Sequence, residues 1–168
     1  MRRGELRADR SAEAGPREPV CGAACRWPRA HAAGSQAVSI LVDTNVIAEL
    51  ARPRPDPQVM RWAGGLATMV LSVITVEEIF FGLSAKPSPQ IERWFESFLE
   101  SDCQVLEVTR SIGRHAGVLR GQLARRGRPR TQADMLIAAT AAWHGLTLAT
   151  RNERDFADCG VTVVNPFR

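Results

Sequence analysis

From Ser39 onward the chain alternates short apolar runs with longer stretches whose apolar residues recur every three or four positions. Five runs read as strands, over residues 39–43, 68–73, 104–108, 146–149 and 161–164. Their near-continuous Val, Ile and Leu content suits strands buried on both faces, as in a parallel sheet. Between them the spacing predicts helices over 46–51, 57–63, 76–84, 111–124 and 132–144, with a short helical turn ending at Ala157. Ile91, Trp94, Phe95, Phe98 and Leu99 add one more helical face directed at a core or a partner. Breakers bound these segments: Pro53-Arg54-Pro55 stops the first helix, Gly64-Gly65 the second, and Pro87 and Pro89 the third. Gly145 stands where a left-handed cap closes the very apolar helix before it. Strands alternating with helices predict βαβ units and an α/β domain.

Composition narrows this picture more than it extends it. A length of 168 residues suits one well-buried domain, and 45% hydrophobic with 24% charged residues is ordinary for a globular chain. The formal charge of +4 is uneven: residues 1–37 hold seven Arg against four acids, leaving 15 basic and 14 acidic residues for 38–168. Attraction for nucleic acid must therefore come from local clusters rather than from net charge. Residues 1–37, rich in Arg, Ala, Gly and Pro, read as a disordered leader, either outside the folded domain or upstream of its real start. The domain itself spans 38–168. Cys21 and Cys25 have a metal-compatible spacing, with His31 as one further candidate, but no second pair completes a set of four. Cys103 and Cys159 stand alone, so all four read as adventitious thiols in a reducing cytoplasm. No apolar stretch approaches the roughly 20 residues of a membrane span, and the basic N-terminus lacks the apolar segment of a secretory signal.

The informative chemistry lies where apolar runs meet helix starts. Asp43 ends the first strand, and a buried strand that stops at a carboxylate carries it to the sheet's C-terminal edge, where open α/β sheets bind ligands. Glu78, Asp134 and the Asn152/Asp155 pair occupy comparable places. Each has an ordinary structural role open to it. Thr75–Glu78 and Thr131–Asp134 match capping boxes, Asn152 suits an N-cap with Asp155 three residues on, and Asp43 can cap the helix after it. Taken together, however, acids that converge on one edge cannot all stay ionised without a cation. Oxygen donors with open water positions suit Mg²⁺ or Mn²⁺, and such an ion serves phosphodiester hydrolysis. Two other acid-edge chemistries fail on the same residues. A phosphotransfer aspartate of the haloacid-dehalogenase kind needs a second Asp where this chain has Asn45, and a response-regulator pocket needs a Lys after a late strand, whereas the single Lys is Lys86.

Four ordered segments resemble one family. Residues 40–50 (ILVDTNVIAEL), 72–82 (SVITVEEIFFG), 133–141 (ADMLIAATA) and 149–156 (ATRNERDF) are similar to the successive motifs of PIN-domain ribonucleases of the VapC toxin type. The ending Val164-Asn165-Pro166-Phe167 is similar to the FitB-like branch. The resemblance covers 39–168 and implies a doubly wound α/β/α sandwich around a mainly parallel sheet of about five strands. It further implies Mg²⁺- or Mn²⁺-dependent RNA cleavage, homodimers and inhibition by a small cognate antitoxin of the VapB type. By position it makes Asp43, Glu78, Asp134 and Asp155 the catalytic acids, with Asp43 and Asp134 as metal ligands. Periodicity leaves Glu77 and Glu78 open; the family spacing to Gly82 selects Glu78. The fourth station departs from the strictest pattern, since some relatives carry an acid where this chain has Asn152. Asn152 and Thr150 are therefore supporting residues, and a second metal is in doubt.

Further candidates lie outside the acids. Arg125, Arg126, Arg128 and Arg130 crowd the loop before Asp134, either as RNA-phosphate contacts or as a solvated loop. For Phe80, Phe81, Trp94 and Phe98 core packing is the default and a dimer or antitoxin surface the alternative, although Phe80 and Phe81 cannot both point inward on one helix. His115 and His144 lie away from the acids. The rival to an RNA-cutting toxin is a non-catalytic PIN-like module whose acidic pocket docks a basic partner.

Overall fold

The computed structural model describes residues 40–168. The leader, Ser39, Cys21 and Cys25 lie outside them. The chain runs β1 (Ile40–Val42), α1 (Thr44–Leu50), α2 (Pro57–Gly64), β2 (Met69–Ser72), α3 (Val73–Ala85) and α4 (Pro89–Ser101). It continues through β3 (Cys103–Leu106), α5 (Arg110–Arg125), α6 (Gln132–His144), β4 (Thr147–Ala149) and β5 (Val163–Val164). All strand pairs are parallel, in the order β3-β2-β1-β4-β5. The sheet thus grows outward from β1 in one direction through β2 and β3, then restarts on β1's other side with β4. That reversal places a crevice between β1 and β4 at the C-terminal edge, where doubly wound sheets take their ligands.

β1 explains why the sheet is covered on both faces. Its three residues are all buried, and successive side chains point to opposite sides. Ile40 and Val42 pack with Ile47, Leu50, Val59, Phe95 and Phe98 from α1, α2 and α4. Leu41 packs with Ile112, Leu123, Met135 and Ile137 from α5 and α6. These two cores make the expected α/β/α sandwich. Gly145 closes α6 at φ 65°, as its position predicts.

Three expectations shift locally. The α1 helix begins at Thr44 rather than residue 46, because Asp43 itself caps it. The α3 helix begins at Val73 rather than residue 76: the Ser72 hydroxyl accepts from Ile74 N at 3.3 Å, and β2 runs straight into the helix. The β-branched Val73-Ile74-Thr75 run imitates a continuing strand, and local capping overrides that preference. The segment after β4 makes its short turn through Ala157 as successive tight turns rather than a regular helical one, with Asp155 N donating to the Asn152 carbonyl at 2.9 Å and Phe156 N to that of Glu153 at 3.3 Å.

The aromatic residues follow the default of core packing. Phe98 is buried, and Trp94 stacks on it with centroids 5.5 Å apart; Phe80 packs on buried Phe95 at 5.7 Å. Phe98 therefore belongs to the core, and Phe80 and Trp94, partly buried, pack against it. Of the four, Phe81 stands outside, 70% exposed, about a quarter-turn round α3 from Phe80. Among the described residues, no helix is long and apolar enough to cross a membrane.

Candidate active site

Asp43 stands where β1 gives way to α1, at the lip of the crevice between β1 and β4. Its carboxylate is only 5% exposed and is held from three directions. Oδ1 accepts from Thr44 N at 2.8 Å, which is the helix cap. Oδ2 accepts from Asn45 Nδ2 at 2.6 Å and from the Thr150 hydroxyl at 2.6 Å. Thr150, fully buried just past β4, reaches across the crevice to make that bond. Its hydroxyl oxygen in turn accepts from Asn45 Nδ2 and from Asn152 N, each at 3.0 Å. Asn45 completes the network by accepting from Arg151 N at 3.0 Å through Oδ1. Every polar atom of the Asn45 amide is thereby engaged, so its orientation is fixed. With three acceptor sites used, Oδ1 of Asp43 keeps one lone pair for another partner.

Glu78 reaches the same corner from α3, where its Oε2 accepts a hydrogen bond from the Thr44 hydroxyl. Glu77, one residue earlier, is exposed. The capping-box alternative for Glu78 is excluded, since Thr75 lies inside α3, fully buried, with its hydroxyl unpaired. Asp134 sits in the first turn of α6, where Thr131 Oγ1 accepts from its N–H at 3.0 Å and donates to its Oδ2 at 2.5 Å. Here the cap is real. The charges of Asp134 and Glu78 nevertheless both reach Asp43.

Burial raises the Asp43 carboxyl from its ordinary 3.8 to about 6. The Thr150 hydroxyl and Thr44 N–H oppose that shift, while the Asp134 and Glu78 carboxylates add to it. The native protein therefore binds a proton at Asp43 more tightly than the unfolded chain does. The resulting stability is fully present below about pH 4 and is lost as pH rises through 6. In chelator, the unfolding free energy should fall by on the order of 2–3 kcal/mol across that window relative to an Asp43→Asn protein. Parallel pH dependences in denaturant titrations of the two proteins would contradict this account of Asp43.

The remaining expected residues divide. Asn152 is exposed and its side chain makes no hydrogen bond among the described residues, so it is not a cap. Asp155 is half-buried in the same turn, and its carbonyl accepts from Arg130 Nε at 2.9 Å. The four loop arginines are not equivalent. Arg130 also donates from Nη2 to the Arg154 carbonyl at 2.8 Å, so it braces the turn after β4. Arg128 pairs with Asp158. Arg125 and Arg126 remain exposed, with no ion pair among the described residues. His115 and His144 are exposed as well. Burial pushes the Cys103 thiol up to about 11, with Asp102 adding, which leaves it unreactive.

Pattern reading missed Thr44, Asn45, Glu49 and Arg151. Glu49 is 5% exposed on α1; its Oε2 takes Arg52 at 2.9 Å and Arg151 at 3.0 Å, and its Oε1 accepts from Asp56 N at 3.0 Å. Phe167 covers the other side of Arg151, 3.8 Å from guanidinium carbon to ring centroid. The available signal was local: Thr-Asn directly after a strand-ending Asp supplies a hydroxyl and an amide beside that carboxylate.

The acids that meet here offer oxygen donors, with the Asp43 carboxyl feeling the charges of Asp134 and Glu78. Among the described residues no three of His, Cys, Asp and Glu close into a metal cage. The support for a divalent ion is the chemistry of the donors alone: oxygen ligands suit Mg²⁺ or Mn²⁺, which hold several waters and take only one or two protein carboxylates.

Comparison with known proteins agrees with this geometry. The PIN domain family matches residues 40–161. The VapC ribonuclease Y4jK of Sinorhizobium fredii is 37% identical over 136 residues, which cover 76% of this chain and 97% of that protein. The crystal structure of FitAcB from Neisseria gonorrhoeae superposes with a TM-score of 0.67 at 32% identity, covering 77% of this chain and 99% of the other. A toxin-antitoxin complex from Klebsiella pneumoniae superposes at 0.62 with 27% identity, covering 77% and 99%.

Proposed function

The chain belongs to the PIN-domain family, and on that premise we propose that it is a metal-dependent endoribonuclease, the toxin half of a toxin–antitoxin pair. One observation carries the reading most: a buried carboxylate at the sheet's switch point, tied across the crevice to Thr150, feels the charges of two further acids. Asp43 and Asp134 would hold Mg²⁺ or Mn²⁺, with Glu78 and Asp155 completing the acidic set. When bound, such an ion lowers the pKa of a water and offsets charge on the phosphodiester transition state.

The chain's own residues do the positioning. Thr150, Asn45 and the Thr44 N–H fix Asp43 in one orientation, so no rotamer freedom is lost when a ligand arrives. Thr44 fixes one oxygen of Glu78 and leaves the other free to accept a proton from an attacking water. Asn152, exposed beside Thr150, has an amide oxygen to offer as a further ligand or as a hydrogen-bond acceptor for water. The partners are an RNA substrate and a cognate VapB-type antitoxin. A homodimer and a cytoplasmic location complete the proposal.

The test is RNA cleavage by the purified chain in Mg²⁺ or Mn²⁺. Cleavage should disappear in EDTA, return with excess ion, and stop when one antitoxin per toxin is added. A protein that binds RNA yet leaves it intact with either ion would instead be the non-catalytic module.

A further inference from the structure

A cavity of about 370 Å³ opens beside the acidic corner, between the turn after β4 and the last residue of the chain. Arg151, Asn152, Glu153, Arg154, Asp155 and Arg168 line it. Its inner wall is continuous with the site, because Asn152 N donates to the Thr150 hydroxyl that holds Asp43. Its size falls in the range of small-ligand sites.

Arg151 is locked between Glu49 and the Phe167 ring, and Glu49 is shared with Arg52, so two guanidinium charges face one carboxylate. Arg130 pins the Arg154 and Asp155 carbonyls from behind and so shapes the wall. The Arg154 side chain is exposed and unpaired among the described residues. Arg168 contacts Glu153 at 3.2 Å while 76% exposed, and a pair that open to water is weak. Glu153 keeps a second partner, Asn165 Nδ2 at 2.7 Å, when Arg168 swings away. Two guanidinium groups are therefore available to an incoming anion and a third is fixed in place, and they share the lining with Glu153, held by Asn165 and Arg168, and with Asp155 of the acidic set.

We propose that this cavity is the subsite for the nucleotide next to the scissile bond of single-stranded RNA, with its phosphate held by Arg154 and Arg168. The proposal rests on the ribonuclease reading but is tested separately from it. It also moves the RNA contact from the loop arginines, of which Arg128 and Arg130 are engaged elsewhere, to the turn after β4. A protein carboxylate is the competing anion, and the antitoxin arm of the experiment addresses it.

Binding of a short single-stranded oligouridylate is measured by fluorescence anisotropy across a salt series, in Mg²⁺, on the full chain carrying Asp43→Asn. Arg154→Gln and Arg168→Gln should each flatten the slope of log affinity against log salt by about 0.7, and together weaken binding by about an order of magnitude. Arg125→Gln and Arg126→Gln should leave both quantities unchanged. An unchanged slope in the double variant, or a loss confined to Arg125 and Arg126, overturns the subsite. So does a double variant that keeps RNA affinity and loses antitoxin binding, which would make the cavity a protein-docking surface. Failure of the wild type to cut RNA would count against the ribonuclease reading alone, since the salt slope reports the subsite without cleavage.

Discussion

Replacing Asp43 with Asn should reduce RNA cleavage by about 10³-fold or more in Mg²⁺ or Mn²⁺, and Asp134→Asn should do the same. The substitution keeps the size of the side chain and one oxygen to cap Thr44 N, so the fold survives. It removes the negative charge and replaces one acceptor oxygen with a donor facing Asn45 and Thr150. If the acid holds the ion, several kcal/mol of transition-state stabilisation disappear with it, and each 1.36 kcal/mol is about tenfold in rate. Circular dichroism and antitoxin binding should remain those of the wild type. Activity within about tenfold of wild type in either protein would remove that acid from the metal site.

The second large effect is on stability. Phe95→Ala should cost about 4 kcal/mol, because the ring is wholly buried in the core between the sheet and α4 and touches Phe80, Trp94 and Phe98. Those neighbours are aromatic and stacked, so they collapse poorly into the vacated space, and a large cavity term remains. In a domain of this size the melting temperature should drop by about 10–15 °C. Phe81→Ala, on the exposed side of α3, should change stability by no more than about 0.5 kcal/mol. A smaller loss for Phe95 than for Phe81 would mean that the aromatic residues face a partner after all.

That contrast shows which parts of the fold were legible beforehand. Residues 91, 94, 95, 98 and 99 announce a helical face by spacing, yet spacing is the same whether the face meets its own sheet or another protein. Only the position of α4 against β1 decides for the core. The start of α3 departs from the pattern for a related reason: β-branched residues favour strands in isolation, and the Ser72 cap outweighs them in place. The arginine loop is the third case. Four like charges in six residues suggest one function, but the fold gives Arg130 to two backbone carbonyls, Arg128 to Asp158, and leaves two exposed.

The sequence by itself determined the alternation of strands and helices, the five-strand α/β architecture and the position of Asp43 at a strand's end. These follow from local periodicity and from turn and cap chemistry, which act over a few residues and are written in neighbouring letters. Only the tertiary structure decided the strand order that sets β4 beside β1, and with it the bond between Thr150 and Asp43, 107 positions apart. It likewise decided that Glu78 meets Thr44, that Arg151 is wedged between Glu49 and Phe167, and that Arg151, Arg154 and Arg168 line one cavity with Glu153 and Asp155. Such contacts depend on which elements pack together, and that is settled by the burial of whole faces rather than by any residue's neighbours in the chain.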